Sequence, residues 1–135
     1  METDRGRNDK VRCAVIDTNV LMYIFLEKID VFGQLKDLGF RRFFVPSMVV
    51  EELKRLEVSL TGKERRAARF ALNLVEQMCE VVDVDAAGTD VALLDLAKSS
   101  GCVLITNDKR LKKRAAEMGI TVGYIREMCR VDVEE

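Results

Sequence analysis

The chain contains no histidine. That removes Ser-His-Asp and Cys-His nucleophilic machinery, imidazole acid–base catalysis and the common His-containing zinc sites. Carboxylates, lysines, hydroxyls and bound metal are left to carry any chemistry. No two of the four cysteines, Cys13, Cys79, Cys102 and Cys129, stand at C-x-x-C spacing, so a zinc ribbon is not expected. Each lies among apolar neighbours. The sequence reads them as buried reduced thiols, with a disulfide only if the source is a hyperthermophile. Long hydrophobic runs are missing too: the longest, Val20 to Leu26, is far short of a membrane span. A basic start (Arg5, Arg7, Lys10, Arg12) before Cys13–Ile16 imitates a signal peptide, but Asp17-Thr-Asn19 interrupts it and no small-residue cleavage site follows. The expectation is a cytoplasmic protein with no membrane association. Aromatics make up 6% of residues and none interleaves the basic runs, so base stacking is expected to be minor, with Tyr23 and Phe25 in the core. The net charge of −1 gives no bulk attraction to nucleic acid, so such a site must be a local basic patch or carry metal ions.

What is present fits one domain: 135 residues, of which 48% are apolar, can build one sizeable core. Residues 1–10 read as a disordered N-terminal extension, 11–127 as the domain and 128–135 as an acidic tail. Val11–Ile16, short, apolar and β-branched, predicts a buried strand, and further strands are expected at Arg42–Val45, Val81–Val84, Cys102–Thr106 and Thr121–Ile125. Between them, periodic segments at Asn19–Glu27, Asp30–Leu38, Ser47–Glu57, Thr61–Met78, Gly88–Ser99 and Asp108–Met118 predict helices, several closed by glycine. Most of the strands are continuously apolar, so helices must cover both faces. This predicts a three-layer α/β/α sandwich around a mainly parallel sheet of about five strands.

In such a sheet ligands bind beyond the carboxyl ends of the strands. Asp17 directly follows the first strand, Glu51 and Glu52 follow the second, Asp90 opens the helix after the third, and Asp108 follows the fourth. Read singly, Asp90 and Asp108 are equally well explained as helix caps, and Glu51 or Glu52 as a solvated face. Asp17 is different, because it lies inside an apolar stretch where burial is hard to avoid. Together the four segments predict a carboxylate cluster. Clustered carboxylates repel one another and lose hydration, an arrangement that hard divalent cations such as Mg²⁺ or Mn²⁺ relieve.

Four ordered segments carry a family resemblance: Ile16-Asp-Thr-Asn-Val20, Val45-Pro-Ser-Met-Val-Val-Glu-Glu-Leu53, Thr89-Asp-Val-Ala-Leu-Leu-Asp-Leu-Ala97, and Leu104-Ile-Thr-Asn-Asp108 with Arg110-Leu111. In this order they resemble the four motifs of PIN domains, over about residues 11–125. The resemblance implies a Mg²⁺- or Mn²⁺-dependent endoribonuclease with a five-stranded parallel sheet. It makes Asp17, Glu52, Asp90 and Asp108 the catalytic and metal-binding acids, with Asn19 and Thr106 as supporting polar residues. Glu52 is preferred to Glu51 because it stands immediately before Leu53. Family members work as VapC-type toxins held by an antitoxin or as rRNA-processing nucleases with pre-ribosomal partners, and a homodimer is implied. One departure is Val91, where relatives often carry a second acid after the third-motif aspartate; Asp95 lies farther along.

Two basic runs are candidates to hold RNA: Lys109, Arg110, Lys112, Lys113 and Arg114, and Lys63, Arg65, Arg66 and Arg69. The first run opens a helix, where the macrodipole disfavours cations, so an anion nearby is expected. Phosphate contacts from such residues give affinity without sequence readout. The alternatives are a non-catalytic PIN-like module that binds RNA or protein, and an aspartyl-phosphate phosphatase. The latter would want an aspartate where this chain has Asn19.

Overall fold

A computed structural model describes residues 12–135; the N-terminal extension expected at 1–10 lies outside the described residues. The chain runs β1 (Arg12–Ile16), α1 (Thr18–Leu26), α2 (Val31–Asp37), β2 (Phe40–Pro46), α3 (Ser47–Ser59), α4 (Gly62–Met78), β3 (Glu80–Val82), α5 (Thr89–Ser100), β4 (Val103–Ile105), α6 (Lys109–Glu117), β5 (Val122–Arg126) and β6 (Arg130–Glu134). The sheet order is β3-β2-β1-β4-β5-β6. The first five strands are parallel, and β6 joins β5 antiparallel.

The apolar runs of β1 and β4 bury Ala14, Val15, Ile16, Val103, Leu104 and Ile105 between two helical layers. α1, α3 and α4 pack on one another, α5 lies against β1, β2 and β4, and α6 lies against β5. The stripe Ala67, Ala68, Ala71 and Val75 explains why α4 packs closely: small side chains let it approach α1 and α3. Gly101 ends α5 in the left-handed conformation, φ 69, which glycine adopts without a Cβ clash. No helix among the described residues is long and apolar enough to cross a membrane.

Two features depart from the expectations. Within 128–135, read as a tail, Arg130–Glu134 pairs with β5. Gln34 of α2 holds that strand, accepting from the Val131 N–H at 2.7 Å and donating to the Cys129 carbonyl at 3.2 Å. The reading of four reduced thiols is also corrected. Cys13 enters β1 and Cys102 enters the neighbouring β4, which brings their Cα atoms to 4.8 Å and joins the sulfurs in a disulfide. Cys79 and Cys129 remain free.

Connections from β1 lead to one side of the sheet and those from β4 to the other. The carboxyl ends of these two adjacent strands therefore flank the crevice where parallel α/β sheets take their ligands.

Candidate active site

Asp17 follows the last residue of β1 at that crevice, and its backbone N–H continues the sheet by donating to the Ile105 carbonyl of β4 at 3.0 Å. Packing of β1 between helices leaves the residue only 7% exposed. Its Oδ2 accepts a 2.6 Å hydrogen bond from the hydroxyl of Thr106, which is wholly buried just beyond β4. The same Thr106 oxygen accepts from the Asp108 N–H at 3.1 Å. A hydroxyl has one proton, so that backbone donor leaves Thr106 free to give its proton to Asp17.

Glu52 arrives from the second turn of α3. Its Oε1 accepts a 2.7 Å hydrogen bond from the Thr18 hydroxyl, while Glu51 is exposed. Helix phase separates the two glutamates: Glu52 turns toward Thr18 at the start of α1 and Glu51 toward solvent. Asp90 sits exposed in the first turn of α5, where Gly88 is the N-cap and no side chain caps the helix. Capping therefore does not account for Asp90. It does account for part of Asp108, whose Oδ1 accepts from the N–H groups of Arg110 at 2.9 Å and Leu111 at 3.1 Å. This carboxylate is also the anion that the first turn of α6 required beside its cations.

Burial pushes the Asp17 carboxyl from 3.8 up to about 6, against the lowering effect of the Thr106 hydroxyl and the Thr18 backbone N–H. The negative charges of Asp90 and Glu52 add to the rise, so three of the four expected acids share one electrostatic neighbourhood. No ion pair among the described residues neutralises any of the four.

No three His, Cys, Asp or Glu side chains among the described residues form a ready-made cage for an ion. The donor set suits a different mode. Mg²⁺ keeps several waters and is usually held by one or two carboxylates together with substrate phosphates. A carboxylate lifted chiefly by burial and further by like charges, with Glu52 fixed by the adjoining Thr18, offers oxygen donors for such a hydrated ion.

The supporting residues divide. Thr106 is bonded to Asp17 as described, whereas Asn19 is exposed. Thr18, next to it, is buried and bonded to Glu52, a role the sequence reading missed. The signal was its place directly after a strand-end aspartate, at the first helical residue. Asn107, also missed, clamps the loop after β4: its amide accepts from the Ile125 N–H at 2.7 Å and donates to the Ile125 carbonyl at 3.1 Å.

Of the basic candidates on α6, Lys109, Arg110, Lys113 and Arg114 are exposed. Lys112 instead lies over the Tyr124 ring, 4.1 Å from its centroid. No aromatic interleaves the run in the sequence, but β5 brings Tyr124 to the basic helix from a distant part of the chain. On α4, Arg69 pairs with Glu57 at 2.8 Å and Arg65 donates to the Glu57 carbonyl at 3.1 Å. Lys63 and Arg66 line a groove with Ile24, Phe25, Lys28 and Phe70 that includes none of the four acids. Asp95 is exposed on α5.

Comparison with known proteins agrees with this architecture. The family model for a PIN like domain matches residues 14–128. The chain is 58% identical to Ribonuclease VapC9 of Archaeoglobus fulgidus over 134 residues, covering 99% of this chain and 98% of that protein. It is 36% identical to Ribonuclease VapC4 of Methanocaldococcus jannaschii over 118 residues, covering 84% of this chain and 89% of that one. The structure of the PIN domain endonuclease Utp24 matches with a TM-score of 0.72 at 23% identity over 90% of each chain, a likeness of fold.

Proposed function

This chain belongs to the PIN-like domain family, and we propose that it is a VapC-type ribonuclease: a Mg²⁺- or Mn²⁺-dependent enzyme that hydrolyses RNA phosphodiester bonds at its carboxylate site. The observation that carries the activity is the 58% identity, over nearly the whole of both chains, to Ribonuclease VapC9. The site supports it with chemistry. Asp17 is buried and lifted to about 6 with two further acids as neighbours, an arrangement that a divalent cation stabilises.

Asp17 and Glu52 would hold the ion, with Asp90 and the uncapped oxygen of Asp108 reaching it directly or through water. When bound, the ion activates water and offsets charge on the phosphodiester. Thr106 keeps Asp17 oriented and favours its ionised form, because its proton is directed at Oδ2. Thr18 fixes Glu52 through its hydroxyl. Asp90, exposed in the first turn of α5, would accept the proton of the attacking water. Lys109, Arg110, Lys113 and Arg114 contact substrate phosphates and give affinity with little sequence readout. Under this reading the partners are RNA, an antitoxin protein that restrains the activity, and a second copy of the chain.

The test is incubation of the purified chain with end-labelled RNA in Mg²⁺, in Mn²⁺ and in chelator. Internal cuts are expected with either ion and none in chelator or with Asp17→Asn. RNA left intact in both ions, or cut equally well by Asp17→Asn, would refute the assignment.

A further inference from the structure

Outside the acidic site, the strongest unassigned feature lies where β5 meets α6. Tyr124 and Arg126 occupy alternate positions of β5 and so share one face of the strand. Lys112 of α6 covers the Tyr124 ring from one side. At the hydroxyl end of the ring, the Arg126 guanidinium reaches the Tyr124 hydroxyl at 3.4 Å, and its Nε pairs with Asp132 of β6 at 3.1 Å. The three side chains form a cation–aromatic–cation arc. Asp132 orients the guanidinium without exhausting its five N–H donors, and Arg126 stays half exposed. The arc adjoins the acids by a short connection. Ile125, between Tyr124 and Arg126, is held at both backbone groups by Asn107, which stands between Thr106 and Asp108.

We infer that Lys112, Tyr124 and Arg126 form a substrate subsite that holds single-stranded RNA on one side of the scissile bond. Arg126 and Lys112 take successive phosphates. The Tyr124 ring keeps the two cations at fixed separation, with its hydroxyl open to a ribose or phosphate oxygen. Cations flanking an aromatic surface are the general means of tracking a single strand without reading sequence. The inference rests on the ribonuclease reading of the neighbouring acids. It adds to that reading the side on which the strand leaves, at the β5 end of the site.

The test measures binding separately from cutting. Affinity for a fluorescent oligoribonucleotide is measured on Asp17→Asn protein, alone and with Arg126→Gln, Arg126→Lys or Tyr124→Phe added. Arg126→Gln should weaken binding about fivefold and reduce the salt slope by about 0.7, the value for one lost phosphate contact on a single strand. Arg126→Lys should restore most of the slope. Tyr124→Phe keeps the ring under Lys112 but frees Arg126, and should give an intermediate loss. In the cleaving protein, Arg126→Gln should raise KM about fivefold with kcat falling less than twofold. Unchanged affinity and salt slope in Arg126→Gln overturn the subsite, whatever the cutting assay gives. Wild-type protein that binds through Arg126 yet never cuts would instead sink the ribonuclease reading and leave the subsite standing.

Discussion

Asp17→Asn should do two opposite things: remove cleavage and, without metal, relieve a stability penalty that grows with pH. The folded carboxyl titrates at about 6 against 3.8 in a free chain, a gap of about 2 units, or about 3 kcal/mol. At 7% exposure, solvent screens little of this. Between these two values the folded state binds more protons than the unfolded state, so stability falls as pH rises and the full penalty is present above about pH 6. The variant has nothing to titrate there. Its amide oxygen can still accept from Thr106, while its NH₂ needs a new acceptor and costs about 1–3 kcal/mol if it finds none. That cost does not depend on pH, so the comparison is made as a difference. Urea unfolding in chelator at about pH 4 and about pH 7.5 should show wild type losing about 2 kcal/mol more than the variant across the interval, because a small part of the penalty is already present at pH 4. Parallel behaviour of the two proteins would refute the claim that Asp17 is held as a buried, like-charged carboxylate.

Further predictions concern the groups around it. Thr18→Val leaves Glu52 without its hydroxyl donor and should lower kcat about tenfold, while Thr18→Ser retains most activity; steady-state kinetics on both variants checks this. The Cys13–Cys102 bond spans 89 residues of sequence, worth about 4–5 kcal/mol in a chain-entropy account. Reductant should therefore lower the urea midpoint of wild type and not of the Cys13→Ser, Cys102→Ser double variant. Gln34→Ala removes both bonds to the β6 end and should cost about 1 kcal/mol, read as faster hydrogen exchange at Val131 than at Val122.

The parts of the fold legible in the sequence are those written in local pattern. β1 ends and β4 runs in short apolar stretches because they are buried on both faces, and the helices between carry apolar stripes with glycine stops. β6 reads Arg-Val-Asp-Val-Glu, short and mostly charged, and local preference argues for a tail. It becomes a strand through contacts from afar: the β5 ladder and Gln34 of α2, 97 residues from Val131. The disulfide was hidden for the same reason, since sheet order and not spacing makes Cys13 and Cys102 neighbours. At the site, the end of β1 announced the burial of Asp17, because a carboxylate after a buried strand has few places to go. The hydroxyls were harder. Thr18 and Asn19 are equally polar on paper, and only the rotation of the first helical turn turns Thr18 inward and Asn19 out. Tyr124 and Lys112 are 12 positions apart and on different elements, so no linear scan pairs them.

The central claim is that repulsion among acids gathered from separate segments is relieved by a bound cation. Titration of the apo protein with Mn²⁺, followed by the loss of the free-ion electron paramagnetic resonance signal, addresses it directly. Saturable binding in wild type that vanishes in Asp17→Asn and weakens in Thr18→Val is the predicted result. Mn²⁺ that stays free at every concentration, in a preparation that still cuts RNA, would contradict it.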